Sequence, residues 1–204
     1  MPATSIAAPL FSWTLAPGAV LVPRTPLLGD AYHELVVANL ERLAVWEPWA
    51  LSRQSPMTTL AFLEQGGAAW LAGTQVPTAI AIRAPEGDWR LVGSLTLTVD
   101  VTRRSAELGY WIDAGHEGRG LVTAGASALL DHAFGALRLE RVALHARVDN
   151  VRSRAVARRL GFVEEGVARA AVAYATRRYD EVHHGLLASE WHSRAPRPPD
   201  GAPQ

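Results

Sequence analysis

The spacing of apolar positions changes period several times along the chain. Phe11, Trp13 and Leu15 alternate with their neighbours, and after the Pro17-Gly18 break residues 19–24 read as a second short strand. Alternation then gives way to steps of three and four. Leu35, Val36, Leu40 and Leu43 share one face of a helix predicted over 30–43. Trp46, Pro48 and Trp49 interrupt it. Pro56, suited to a first helical position, opens a second helix predicted to end at Glu64, ahead of Gly66-Gly67. Residues 78–83, 91–99 and 107–112 read as three strands separated by turn-rich segments.

The clearest helical period starts at Thr123 and carries Ala126, Leu129, Leu130, Ala133, Phe134 and Leu137. A strand over 141–148, a short helix over 151–160 and strands over 163–173 and 179–187 complete the pattern. This order predicts an α/β fold, a mixed sheet with a strand–helix–strand crossover at its centre.

Composition narrows the picture. The chain has 204 residues, enough for one domain, here expected over 1–194 with a flexible, proline-rich tail over 195–204. Its 20 basic side chains, all arginine, balance 20 acidic ones, which argues against a broad nucleic-acid binder. The absence of cysteine excludes disulfides, thiolate metal sites and a thiol nucleophile. No apolar run approaches the ~20 residues that span a bilayer, and no leader pattern opens the chain, so a cytoplasmic protein without a membrane partner is expected.

Residues His116-Glu117-Gly118-Arg119-Gly120-Leu121-Val122-Thr123 lie between a predicted strand and the best helix. Two glycines allow a tight turn, a helix N-terminus leaves unpaired N–H groups, and Arg119 adds a cation; together they suit a pyrophosphate. The same residues also fit a plain strand-to-helix turn. They form neither a Walker A loop nor a complete Gly-x-Gly-x-x-Gly, since Thr123 holds the last place.

Neighbouring motifs shift the balance between these readings. Gly109-Tyr110-Trp111-Ile112-Asp113, Glu117-Gly118-Arg119-Gly120-Leu121, Arg147-Val148-Asp149-Asn150, Ser153, Ala155-Val156-Ala157-Arg158-Arg159, Gly161-Phe162 and Glu165-Gly166 follow in order. This stretch, about a third of the chain, resembles the GCN5-related N-acetyltransferase (GNAT) superfamily, and within it the branch that acetylates ribosomal proteins at the α-amine. The resemblance implies the GNAT acyl-CoA N-acyltransferase fold: a central, mostly antiparallel sheet with one splayed strand pair and flanking helices.

It also implies site residues. The amides of Gly118, Arg119, Gly120, Leu121, Val122 and Thr123 would cradle the pyrophosphate of acetyl-CoA. Ile112 would end the splayed strand beside which pantetheine pairs, and Asn150 would contact the pantetheine arm. Glu117, unfavourable beside a phosphate, is expected to turn away. Glu165 is the expected base for the amine, through water, and Ser153 the expected acid for the departing sulfur, with Glu107 and Tyr110 in reserve. Read without the resemblance, Ser153 also fits a first-turn hydroxyl and Glu165 a solvated carboxylate.

Ten of the twenty arginines lie between Arg138 and Arg178, and Arg154 and Arg158 are expected near the coenzyme phosphates. Trp49, with Glu107 and Tyr110, is a candidate for the acceptor cleft, as are Trp46, Trp70 and Trp111, though aromatic residues near a core also serve as plain packing. His183-His184 would point to opposite faces of a strand, so no metal is expected there.

The function so implied is acetyl transfer from acetyl-CoA to a primary amine by direct attack in a ternary complex, on a monomer or homodimer. The leading acceptor is the N-terminal α-amine of a ribosomal protein. A small amine (polyamine, aminoglycoside or peptide antibiotic) and a non-catalytic acyl-CoA-binding module are the alternatives.

Overall fold

Nine strands of one sheet run between Ser5 and Leu187 in the computed structural model, which describes residues 5–6 and 11–193. The tail expected over 195–204 lies outside the described residues. The strands are β1 Ser5–Ile6, β2 Trp13–Ala16, β3 Ala19–Pro23, β4 Gln75–Arg83, β5 Trp89–Asp100, β6 Ser105–Ile112, β7 Arg141–Arg147, β8 Val163–Tyr174 and β9 Arg177–Leu187. Their order is β2-β3-β4-β5-β6-β7-β9-β8, with β1 added to the start of β5. All neighbours are antiparallel except β6 and β7, the pair joined by the crossover helix.

Five α-helices flank the sheet: α1 Gly29–Leu43, α2 Pro56–Leu71, α3 Leu121–Asp131, α4 Val151–Leu160 and the short α5 Ala188–His192. Strand alternation decides which helix each residue meets. Val20, Val22, Ala79 and Ala81 pack with Tyr32, Leu35, Val36 and Leu63 of α1 and α2. The intervening Leu21 and Ile80, with Leu95 and Leu97, pack with Ala126, Leu129 and Leu130 of α3 and with Ala157 and Leu160 of α4. Among the described residues no helix is long and apolar enough to cross a membrane.

Several elements depart from the sequence pattern, β1 among them, which the pattern did not contain. Helix α2 passes through Gly66-Gly67 to Leu71, with Gly66 buried against Pro77 of β4. Helix α3 starts two residues early, at Leu121, and its regular turns end at Asp131, followed by a π-helical turn over His132–Ala136. Helix α5 was not expected from the pattern.

Gly125 lets α3 lie close on the sheet. A Cβ there would stand 3.0 Å from Leu21 Cδ1 and 3.3 Å from both Leu95 methyls. Gly125→Val is expected to destabilise the fold by about 1–3 kcal/mol through overpacking, read as a lower urea midpoint at unchanged slope.

Candidate active site

Strands β6 and β7 pair only from Ser105, Ala106 and Glu107 to Arg141, Val142 and Ala143. Beyond that short ladder they part, and a cleft of about 1190 Å³ opens between residues 108–112 and 144–147. One edge of β6 is left without a strand partner there. Near its end, an Nη of Arg42 from α1 donates to the Ile112 carbonyl.

The loop after β6 is anchored from below. The Asp113 carboxylate accepts from Asn39 Nδ2 at 2.9 Å, from the Gly115 N–H at 3.0 Å and from His116 Nδ1 at 2.7 Å. Burial pushes its pKa up, but these hydrogen bonds and the neighbouring imidazole outweigh it and leave the carboxyl below the usual range. A depressed carboxyl stabilises the fold above its unfolded pKa and loses that contribution as pH falls through the folded value. Asp113→Asn should therefore cost about 1 kcal/mol at pH 7, and the gap to the parent protein should close below about pH 4, in urea titrations at the two pH values.

Gly118 (φ 73°) and Gly120 (φ 77°) both occupy the left-handed region that turns the chain into α3. Gly120 is the N-cap and brings no capping side chain, so the first-turn N–H groups of Leu121, Val122 and Thr123 face the cleft mouth without an intrahelical acceptor. Glu117 does not turn away. It lines the cleft, held between Arg42 (2.8 Å) and Arg152, so its charge is offset on both sides.

Helix α4 brings the next groups. Asn150 is its N-cap and accepts from the Ser153 N–H at 3.1 Å. That fixes the first turn so that Ser153 Oγ lies 2.8 Å from the Tyr110 hydroxyl on β6, which also reaches the Ser153 carbonyl at 3.2 Å. Burial pushes the Tyr110 phenol up to about 12, although the Ser153 hydrogen bond and the Arg159 charge work against it. Tyr110 is a protonated donor throughout the neutral range.

The face that α4 turns to the cleft carries Arg152, Ser153, Val156 and Arg159. Arg159 donates to Thr123 Oγ1 at 3.1 Å. Arg154 and Arg158, expected near the phosphates, do not line the cleft. Arg154 donates to the Val148 carbonyl and pairs with Glu164, while Arg158 is exposed. The reason is helical phase: at about 100° per residue, positions 154 and 158 fall off the stripe that holds 152, 156 and 159. Arg119 is likewise exposed and outside the cleft lining.

At the far end the cleft is lined by Glu47, Glu107, His145, Glu181, Val172 and Trp46. Glu107 Oε1 lies 3.7 Å from His145 Nδ1. His145 and His183 face each other in the β7–β9 ladder with rings stacked at 4.2 Å, and Glu181 Oε2 lies 3.1 Å from His183 Nε2 and 4.0 Å from His145 Nδ1. His184 points the other way, as strand alternation requires, and its Nδ1 donates to the Leu144 carbonyl inside the core. Burial raises the Glu47 pKa, partly offset by the Trp49 Nε1 hydrogen bond. Trp49 itself is 40% exposed and stands behind Glu47, outside the lining; of the four tryptophans expected at the cleft, Trp46 and Trp111 line it and Trp49 and Trp70 do not.

Glu165 is not brought to Ser153. It lies on β8 outside the cleft, and both its oxygens accept from the Arg141 guanidinium. That pairing holds its carboxyl below the usual range, the opposite of what a base for an amine needs. The cleft residues that sequence reasoning missed are Arg42, Arg152, Arg159, His145 and Glu181. A signal existed for two of them: Arg152 and Arg159, seven apart, share a helix face with the Ser153 side. None existed for His145 and Glu181, which meet only through cross-strand register.

A family model described as Acetyltransferase (GNAT) domain matches residues 21–163. The Bacillus subtilis (strain 168) protein named "Putative ribosomal N-acetyltransferase YdaF" is 37% identical over 168 residues, covering 81% of this chain and 89% of that protein. A crystal structure titled "Probable acetyltransferase" superposes with a TM-score of 0.81 at 31% identity, over 89% of this chain and 99% of the other. Mycobacterium smegmatis RimJ, solved in complex with CoA-disulfide, gives a TM-score of 0.75 at 28% identity, over 84% and 83%.

Proposed function

The chain belongs to the GNAT acetyltransferase family, and on that premise we propose that this enzyme moves the acetyl group of acetyl-CoA to the α-amine at the N-terminus of a protein, a ribosomal protein in the first instance. One observation carries the reading. A single cleft holds a carboxylate, Glu107, on the parting strand β6, and a hydroxyl pair, Tyr110 and Ser153, further along it.

The residues present suit acetyl-CoA. The free N–H groups of 121–123 and the cations Arg152 and Arg159 would take the pyrophosphate, and the unpaired edge of β6 would take the amides of the pantetheine arm by strand addition. Acetyl-CoA supplies an activated acyl thioester. RimJ, a relative with 28% identity, is solved with a coenzyme A derivative, which supports this donor.

The chain's own groups then divide the proton traffic. The acceptor enters from the end lined by Glu47, Glu107 and Glu181, where negative side chains favour an amine. An α-amine, with a reference pKa of about 7.7–8.0, is partly neutral at pH 7.5, unlike lysine at about 10.4. Its nitrogen forms a bond to the thioester carbonyl carbon, and Glu107 takes the proton that the nitrogen then carries. As the carbon–sulfur bond breaks, Ser153 delivers a proton to the sulfur and Tyr110 resupplies it through their 2.8 Å hydrogen bond; Glu107 then gives its proton to solvent and Tyr110 takes one back, which restores both groups. Tyr110→Phe and Ser153→Ala are each expected to lower kcat about tenfold, and the double variant little further, because the two hydroxyls act as one donor.

The test offers full-length enzyme and acetyl-CoA to peptides with free N-termini, to the same peptides blocked at the α-amine, and to polyamines and aminoglycosides. Addition of a single acetyl group to the free peptides alone, by mass spectrometry, is the expected result. Saturable turnover only on the small amines would overturn the assigned acceptor.

A further inference from the structure

The acceptor end of the cleft carries a group the acetyl-transfer chemistry leaves largely unused. His145 on β7 and Glu181 and His183 on β9 project from one face of the sheet, and their ligand atoms lie within 4.8 Å of one another. Among the described residues they form the one such group of histidines and carboxylates able to converge on an ion. The arrangement follows from register. His145 opposes His183 directly, and Glu181, two residues earlier on β9, returns to the same face.

We propose that His145, Glu181 and His183 bind one divalent cation of the Zn²⁺ class, and that the bound ion inhibits acetyl transfer. Two imidazoles and one carboxylate with a fourth position open is a donor set suited to zinc, whereas Mg²⁺ and Ca²⁺ favour oxygen ligands throughout. Tetrahedral zinc needs donors about 3.3 Å apart at bond lengths near 2.0–2.1 Å. Glu181 and His183 already stand at 3.1 Å and His145 is 4.0 Å from Glu181, so the site closes once the two imidazoles, now stacked at 4.2 Å, tilt out of parallel and turn toward Glu181. All three side chains are half-buried, which shields the ion while leaving it a path from the cleft. Glu107, 3.7 Å from His145 Nδ1, stands where it can supply the fourth ligand or hold its water.

The inhibition rests on the reading of Glu107 as base. An ion here occupies the end at which the amine enters and draws Glu107 toward itself, so it competes with the acceptor and not with acetyl-CoA. His183 lies outside the cleft lining, which separates cation binding from catalysis.

Calorimetric titration of the full chain with ZnCl₂, and with MgCl₂ as control, tests the site. One zinc per chain and no magnesium is the expected result, with affinity at least about tenfold weaker in His183→Gln and in Glu181→Gln but unchanged in His132→Ala. His183→Gln keeps a polar partner for Glu181, so thermal unfolding should match the parent. The same variant should keep its turnover and lose inhibition by zinc. Absent binding, equal binding of magnesium, or an affinity indifferent to both cluster substitutions would overturn the site. Zinc bound at the cluster without competition against the amine would overturn the inhibitory role while leaving the acetyl-transfer reading untouched.

Discussion

Glu107→Gln is expected to lower kcat about a hundredfold while the KM for acetyl-CoA stays within about twofold, because the substitution removes a proton acceptor and nothing that holds the coenzyme. Glutamine has the same shape, and the 3.7 Å approach to His145 is too long for a hydrogen bond whose loss would reshape the cleft. The lost step is specific. Once the amine has attacked, its nitrogen is far more acidic than a free ammonium, and an ordinary carboxylate is basic enough to relieve it. A steady-state comparison with Glu165→Gln makes the assignment sharp. Glu165 is spent on Arg141 and lies outside the cleft, so its loss should leave kcat within about threefold. The reverse outcome, an unaffected Glu107→Gln and a crippled Glu165→Gln, would return the base to β8.

The contrast between these two glutamates shows what could be read in the sequence and what could not. The segment from Gly109 to Thr123 is legible because its chemistry is local. A strand, two left-handed glycines and a helix N-terminus follow within fifteen residues, and each makes the same site whatever surrounds it. Glu165 depends on register instead. The β8–β9 ladder slips between Glu164 and Gly166 and again between Ala168 and Val172. The first slip sets one extra residue, Glu165, against β9 and the second sets two; Glu165 stands on the face of His183 but at its Arg141 end, beyond the cleft, while Val172 lines it. Alternation along β8 carries no mark of where these extra residues fall. Arg154 and Arg158 are close to the motif in sequence but turned off the cleft, because Ala157 and Leu160, buried in the core, set the phase of α4. The His145–Glu181 contact spans two strands far apart in the chain, and no local signal marks it.

Register also explains why the acceptor end holds its shape. Arg147 is 8% exposed, and its guanidinium lies 3.7 Å from the Tyr179 ring centroid, 4.9 Å from Trp46 and 5.8 Å from Tyr174. Its Nη1 donates to the Val45 carbonyl at 2.8 Å, and Nε and Nη2 grip both oxygens of Asp149 at 3.0 and 2.6 Å. One side chain thus ties the segment after α1, strand β7 and the β8–β9 hairpin together around this end of the cleft. Arg147→Ala removes a desolvated cation–π stack and three hydrogen-bonded contacts. A loss of about 2–4 kcal/mol is expected, seen as a fall in Tm of roughly 5–15 °C for a domain of this size. Because Trp46 and the hairpin are then free to separate, the KM for the acceptor should rise more than the KM for acetyl-CoA, whose loop is held by Asp113 and Asn39 instead. Arg147→Lys keeps the charge but not the flat, two-pronged head, and should recover less than half of the lost stability. A Tm within about 2 °C of the parent for Arg147→Ala would mean that the three elements are held by their backbones, with the guanidinium only filling the space between them.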